Sequence, residues 1–154
     1  MHGTYLMEVG YKKGAGDPGA RSLLEDVRHL GVKSIKSVGT AQLYRLVGNL
    51  TSPDQARIAE DLLCDPILQE YRDGARRAGE GAIVVDVWYK PGVTDVVGES
   101  VAKGIRDLGC QGISEVRTGM RYRFWGLRNR EMAGKIAAAL LANPLVHEHS
   151  IHAD

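Results

Sequence analysis

Tyr11-Lys12-Lys13-Gly14 returns downstream as Tyr89-Lys90-Pro91-Gly92, and Leu62-Leu63-Cys64-Asp65-Pro66 returns as Leu140-Leu141-Ala142-Asn143-Pro144. Both pairs share one offset, since 89 − 11 and 140 − 62 are each 78. Between them the register holds. Leu30-Gly31 matches Leu108-Gly109, Ile35 matches Ile113, Tyr44-Arg45 matches Tyr122-Arg123, and Gly48 matches Gly126. A gapless internal repeat decides the architecture before any local motif does. It also gives every residue a counterpart, which separates packing from chemistry. The copies occupy residues 1–73 and 82–154, joined by a linker over 74–81 that holds three glycines and two arginines.

A copy this short buries too little apolar surface to be comfortably stable alone, so the halves are expected to share a core. The chain of 154 residues carries a net charge of +1, with its acids and bases interspersed. That balance leaves no electrostatic footprint for nucleic acid or a membrane surface. Two cysteines make no disulfide framework and fit a reducing cytoplasm. No apolar run reaches the roughly 20 residues that span a bilayer. Met1-His2-Gly3-Thr4 lacks the pattern of a secretion leader.

Within each copy, Tyr5 to Lys12 and Ile83 to Lys90 alternate or are β-branched and read as strands. A glycine-bearing turn leads to a helix over about 18–30, with Asp17 as cap and Pro18 at its first position. Leu23, Val27 and Leu30 form its apolar stripe; Val97, Val101, Ile105 and Leu108 form the matching one. Ile35 to Val38 and Leu43 to Gly48 read as a hairpin turning near Gly39-Thr40, or Thr118-Gly119 in the second copy. Ser52-Pro53-Asp54-Gln55 predicts a second capped helix, matched by Asn129 to Ala142. Ile67 to Arg72 and Leu145 to Ile151 close the units. The expected fold is α+β: two tandem ferredoxin-like βαββαβ repeats, antiparallel with helices on one face, forming a pseudo-dimer. The opposite sheet face, carrying Arg45 in one copy and Arg121, Arg123 and Trp125 in the other, needs a covering partner. Either the sheets pack together or one extends the other.

Several motifs invite chemistry. Gly14 to Gly19 spells GxGxxG between strand and helix, but the second copy keeps only Gly92 and Asp95 in register. It reads as a turn and helix cap whose amides offer an anion a place. Cys110 matches Val32, and Cys64 matches Ala142, so neither stands in a nucleophile's setting. His147, His149 and His152 cluster without a cysteine or carboxylate partner and read as ordinary strand histidines. Lys12 and Lys90, with Arg45 and Arg123, recur in both copies beside Tyr11 and Tyr89. Together Lys12, Arg45, Lys90, Arg121, Arg123 and Trp125 are the candidate surface for a partner. No catalytic, cofactor-binding or metal-binding residues are assigned.

Lys90-Pro91-Gly92-Val93-Thr94-Asp95 and Leu140-Leu141-Ala142-Asn143-Pro144, in this order and twice over, resemble the PurS family, the small component of phosphoribosylformylglycinamidine synthase. The first copy departs at Lys13-Gly14-Ala15-Gly16-Asp17-Pro18 and at Cys64-Asp65. The resemblance implies a non-catalytic bridge in de novo purine biosynthesis. It would link a glutaminase that releases ammonia to a synthetase that holds ATP and magnesium, and support ammonia transfer between them. It implies no cofactor here, and it fits either a separate subunit or the N-terminal region of a larger synthase. Those two components are the expected partners, with self-association through sheet faces and neither nucleic acid nor membrane. The competing reading is a tandem ferredoxin-like sensor binding a small metabolite, supported by the glycine turn and the basic pairs.

Overall fold

The computed structural model describes residues 3–154; Met1 and His2, where the stretch read for a leader begins, lie outside the described residues. The first copy comprises β1 (Gly3–Tyr11), α1 (Pro18–His29), β2 (Ser37–Gly48), α2 (Ser52–Ile58) and β3 (Gln69–Asp73). The second comprises β4 (Ile83–Tyr89), α3 (Val96–Asp107), β5 (Ile113–Trp125), α4 (Arg130–Ile136) and β6 (His147–Ala153). The helices α2 and α4 each continue through one π-helical turn, Ala59–Leu63 and Ala137–Leu141.

Local chemistry sets the helix starts. Asp17 accepts a hydrogen bond from the Ala20 N–H at 3.0 Å, with Pro18 behind it, and Asp95 does the same for Gly98 at 2.8 Å. The cap of α2 lies one residue earlier than the sequence suggested. Thr51 accepts from the Asp54 N–H and Asp54 reaches back to the Thr51 N–H, a reciprocal box that Ser52 and Gln55 do not make.

The expected hairpin does not form. Ser37–Gly48 and Ile113–Trp125 are single long strands, so each copy runs β-α-β-α-β rather than βαββαβ. Of the glycines that suggested turns, Gly119 serves close approach instead, while Gly39 lies in strand β2 with room for a side chain. A side chain at Gly119 would stand 2.7 Å from the Trp88 ring, and one at Gly39 would stand 3.4 Å from Trp125.

Length gives these strands a second role. β2 pairs antiparallel with β5 from Ser37↔Trp125 to Gly48↔Ile113, fusing both copies into one six-stranded antiparallel sheet of order β3-β1-β2-β5-β4-β6. One half of the sheet extends the other. All helices pack on one face, and each core mixes copies. Ile58 and Ala59 of the first copy meet Ala102 and Ile105 of the second over Met7, Leu46 and Val116. Leu23 and Val27 meet Ala133, Ile136 and Ala137 over Val85, Val87 and Phe124. Neither copy could bury its helices without the other. The predicted stripes are correct at Leu23, Val27 and Ile105, whereas Leu30 and Val97 are exposed. None of the helices among the described residues is long and apolar enough to cross a membrane.

Candidate functional site

The face opposite the helices is covered from within. The linker leaves β3 at one edge and reaches β4 across this face. The Gly74 N–H donates to the Leu6 carbonyl, and the Gly74 carbonyl accepts from Arg121 at 2.8 Å. The Ala78 N–H donates to Asp154, and the Glu80 carbonyl accepts from the Trp125 indole at 3.0 Å.

Beneath it lies a buried ion network. Arg121 donates Nε and Nη2 to both oxygens of Asp86, at 2.8 and 2.9 Å, and Nη1 to Glu8 at 2.7 Å. Arg123 donates to both oxygens of Glu8, at 2.6 and 2.9 Å, and to Asp154 at 3.2 Å. All but Arg123, whose side chain is 11% exposed, are more than nine-tenths buried as ion-paired side chains. Glu8 and Asp86 are repeat counterparts, and Arg121 replaces Leu43. Burial pushes the Glu8 carboxyl up, but hydrogen bonds and charge from Arg123 and Arg121 outweigh this and hold it below the ordinary carboxylate range. Burial disfavours the charge on Arg121, yet bonds from Asp86 and Glu8 raise its affinity for the proton; Glu8 and Asp154 do so for Arg123. Arg121 and Arg123 are therefore internal ion-pair members rather than an open basic surface. The signal was in the sequence: Asp86 interrupts the apolar run Ile83-Val84-Val85 on a strand that could not leave it in water.

The other candidates separate. Lys12 donates to the Pro66 carbonyl and Lys90 to the Pro144 carbonyl, so this recurring pair ties the start of each glycine turn to the loop before each copy's last strand. Arg45 lies over the Trp88 ring, 4.1 Å from its centre. Cys110 is buried, and burial followed by the Asp54 charge pushes its thiol up; Cys64 is pushed up by burial as well. His147 packs on Tyr89 at 5.1 Å and accepts from the Asn143 N–H. Among the described residues no three histidine, cysteine or acidic side chains gather as a metal site.

Lys12, Arg123 and Trp125 do converge, on an open groove of about 480 Å³ beside the linker. Gly14, Gly16 and Asp17 of the glycine turn line it, with Gly10 and Gly39 as its floor and Glu70 and Glu80 at its rim. The internal counterpart explains why it is open. Gly10 corresponds to Trp88, and Gly39 corresponds to Arg117. Trp88 is 9% exposed and lies directly on Gly119, while Arg117 binds the carbonyls of its own turn. In the second copy Trp88 and Arg117 occupy the positions that Gly10 and Gly39 leave bare, although a groove of about 410 Å³ remains beside its turn with Arg117 in its lining. The glycine spelling that resembled a dinucleotide loop instead ends in a cap whose aspartate also binds a neighbouring strand: Asp17 accepts from Thr40, as Asp95 does from Thr118.

Comparison with known proteins agrees with the repeat. The chain matches the family profile PurS, phosphoribosylformylglycinamidine (FGAM) synthase, over residues 5–74 and again over residues 82–154. The phosphoribosylformylglycinamidine synthase subunit PurS of Archaeoglobus fulgidus is 32% identical over 68 residues, covering 41% of this chain and 85% of that subunit. The crystal structure of PurS from Methanocaldococcus jannaschii, one of the subunits of formylglycinamide ribonucleotide amidotransferase in the purine biosynthetic pathway, is similar at a TM-score of 0.44 and 25% identity. That match covers 47% of this chain and 94% of the other. With the family signature met twice, in the two copies that pair into one sheet, this chain belongs to the PurS family.

Proposed function

We propose that the chain is a component of FGAM synthase, a pseudo-dimer of two PurS-like copies that bridges glutaminase and synthetase components and supports ammonia transfer between them. The observation that carries this reading is the twice-met family signature on a pair of copies that share one sheet and both cores. On this reading the chain makes and breaks no bonds itself. Its buried charges are engaged with one another, and its two thiols are held toward the protonated form. ATP and magnesium belong to the synthetase. Equivalent apolar side chains stand exposed in both copies, Ile67 with Leu145 and Leu62 with Leu140, and these suit contact with partner subunits.

The test is reconstitution. Mixed with the glutaminase and synthetase components, the chain should co-elute with them. It should also be required for glutamine-dependent formation of FGAM, while turnover on added ammonia persists without it. Glutamine-dependent turnover that is unchanged by omitting the chain, with no co-elution, would remove the assignment.

A further inference from the structure

We infer that the open groove of the first copy receives an arginine side chain presented by a partner polypeptide. The template is the second copy. There the Arg117 guanidinium donates to the Val93 and Lys90 carbonyls at 3.1 Å and to the Tyr89 carbonyl at 3.4 Å. The first copy keeps the turn that supplies these acceptors. The Ala15 N–H donates to the Lys12 carbonyl at 3.0 Å, as Val93 does to Lys90, and Gly14 and Gly92 share φ values of 85° and 87°. It lacks the donor, because Gly39 stands where Arg117 would be, and Gly10 removes the bulk of Trp88. What the first copy retains is a receptor with its native plug deleted.

The remaining lining favours the same occupant. Trp125 is held by its indole N–H, with its ring against Gly39, and offers a flat face for a guanidinium to stack on. Glu70 and Glu80 are exposed at the rim, and among the described residues their side chains make no hydrogen bond or ion pair. The three cations that also line the groove are engaged elsewhere. Lys12 binds the Pro66 carbonyl, Arg72 binds the Arg76 carbonyl, and Arg123 binds Glu8 and Asp154. Carbonyls arranged for a planar fork, a ring to stack on and acids at the rim select arginine over lysine. This deepens the bridging reading by naming what a partner would insert. The chain alone is sufficient to test it, so failure of either can be told from failure of the other.

The probe is N-acetyl-arginine amide, titrated into the full chain while the Trp125 indole N–H resonance is followed by NMR. The expected result is a saturable shift that the lysine and citrulline analogues do not give at equal concentration. Gly39→Arg should supply the plug internally. It should weaken probe binding by about tenfold or more and melt at a higher temperature than both Gly39→Ala and Gly39→Lys. A Cβ at this position meets only ordinary contacts, the nearest at 3.4 Å on the Trp125 ring. If Gly39→Arg does not fold, Gly39→Gln replaces it, with the same loss of binding expected. Equal shifts from arginine and lysine amides, no shift from arginine amide, or undiminished binding in the filled variants would overturn the proposal.

Discussion

Replacing Arg121 with leucine isolates the energetic centre of the fold. Leucine is the residue the first copy itself carries at this position, Leu43, where it is fully buried, so shape is not the objection. Charge is. Both oxygens of Asp86 accept from Arg121, and Asp86 is only 6% exposed, so the substitution leaves an uncompensated buried carboxylate. Glu8 keeps its two bonds from Arg123, which confines the damage to one acid. Breaking a buried pair by removing one partner typically costs about 3–5 kcal/mol. For a chain this size that lowers the melting temperature by roughly 6–20 °C, taking about 2–4 °C per kcal/mol. Urea unfolding followed by circular dichroism should show a lower midpoint at unchanged slope. Arg121→Leu combined with Asp86→Val removes both charges and should recover most of the loss, since apolar replacement of a whole buried pair is often neutral. Two results would refute the reasoning: a single-variant loss below about 1 kcal/mol, or a double variant as damaged as the two single losses added together.

Two further outcomes follow from the same network and from the shared cores. The Glu8 carboxyl is held below its ordinary value in the folded chain, so its contribution is complete above the unfolded carboxyl value of about 4.3 and is lost as pH falls through the lower folded value. Stability measured from pH 6 to 3 should therefore drop at the acid end, and Glu8→Gln should flatten that drop while lowering stability at neutral pH; an unaltered acid limb would contradict the linkage. Limited trypsin should cut the exposed linker at Arg76 or Arg77. The nicked chain should still elute as one particle, because the β2–β5 ladder and both mixed cores cross the cut; separation of the halves on gel filtration would show that the pairing is weaker than the structure implies.

Much of this arrangement was legible in the residue order, and the exceptions share a cause. The repeat, the Asp17 cap and the burial of Leu23, Val27 and Ile105 all depend on local spacing, which sequence displays. The hairpin expectation fails because Gly39 and Gly119, which resemble turn residues locally, lie inside the long strands β2 and β5. Their role depends on Trp125 and Trp88, residues far along the chain that lie on them. The in-register counterparts of those glycines are Arg117 and Ala41, so no turn glycine is common to both copies. The ion pairs of Arg121 and Arg123 likewise depend on residues distant in the chain. A strand's alternation says which face a charge occupies, but not that a linker and the Asp154 side chain will cover that face.

The covalent tandem also permits something that two identical chains cannot have. In a symmetric pair, any substitution that opens a groove in one copy opens it in both, and any plug fills both. Here the copies have diverged at opposed positions: glycine at 10 and 39 against tryptophan at 88 and arginine at 117, and Leu43 against Arg121. The sheet and cores keep their two-fold logic, while the outer face does not. On the proposed reading, such a platform would present one receptor per chain and unlike ends to its partners, which suits a bridge between unlike components. Restoring symmetry with Gly39→Arg should accordingly reduce association at one end of the bridge only, leaving the interactions of the second copy as they were.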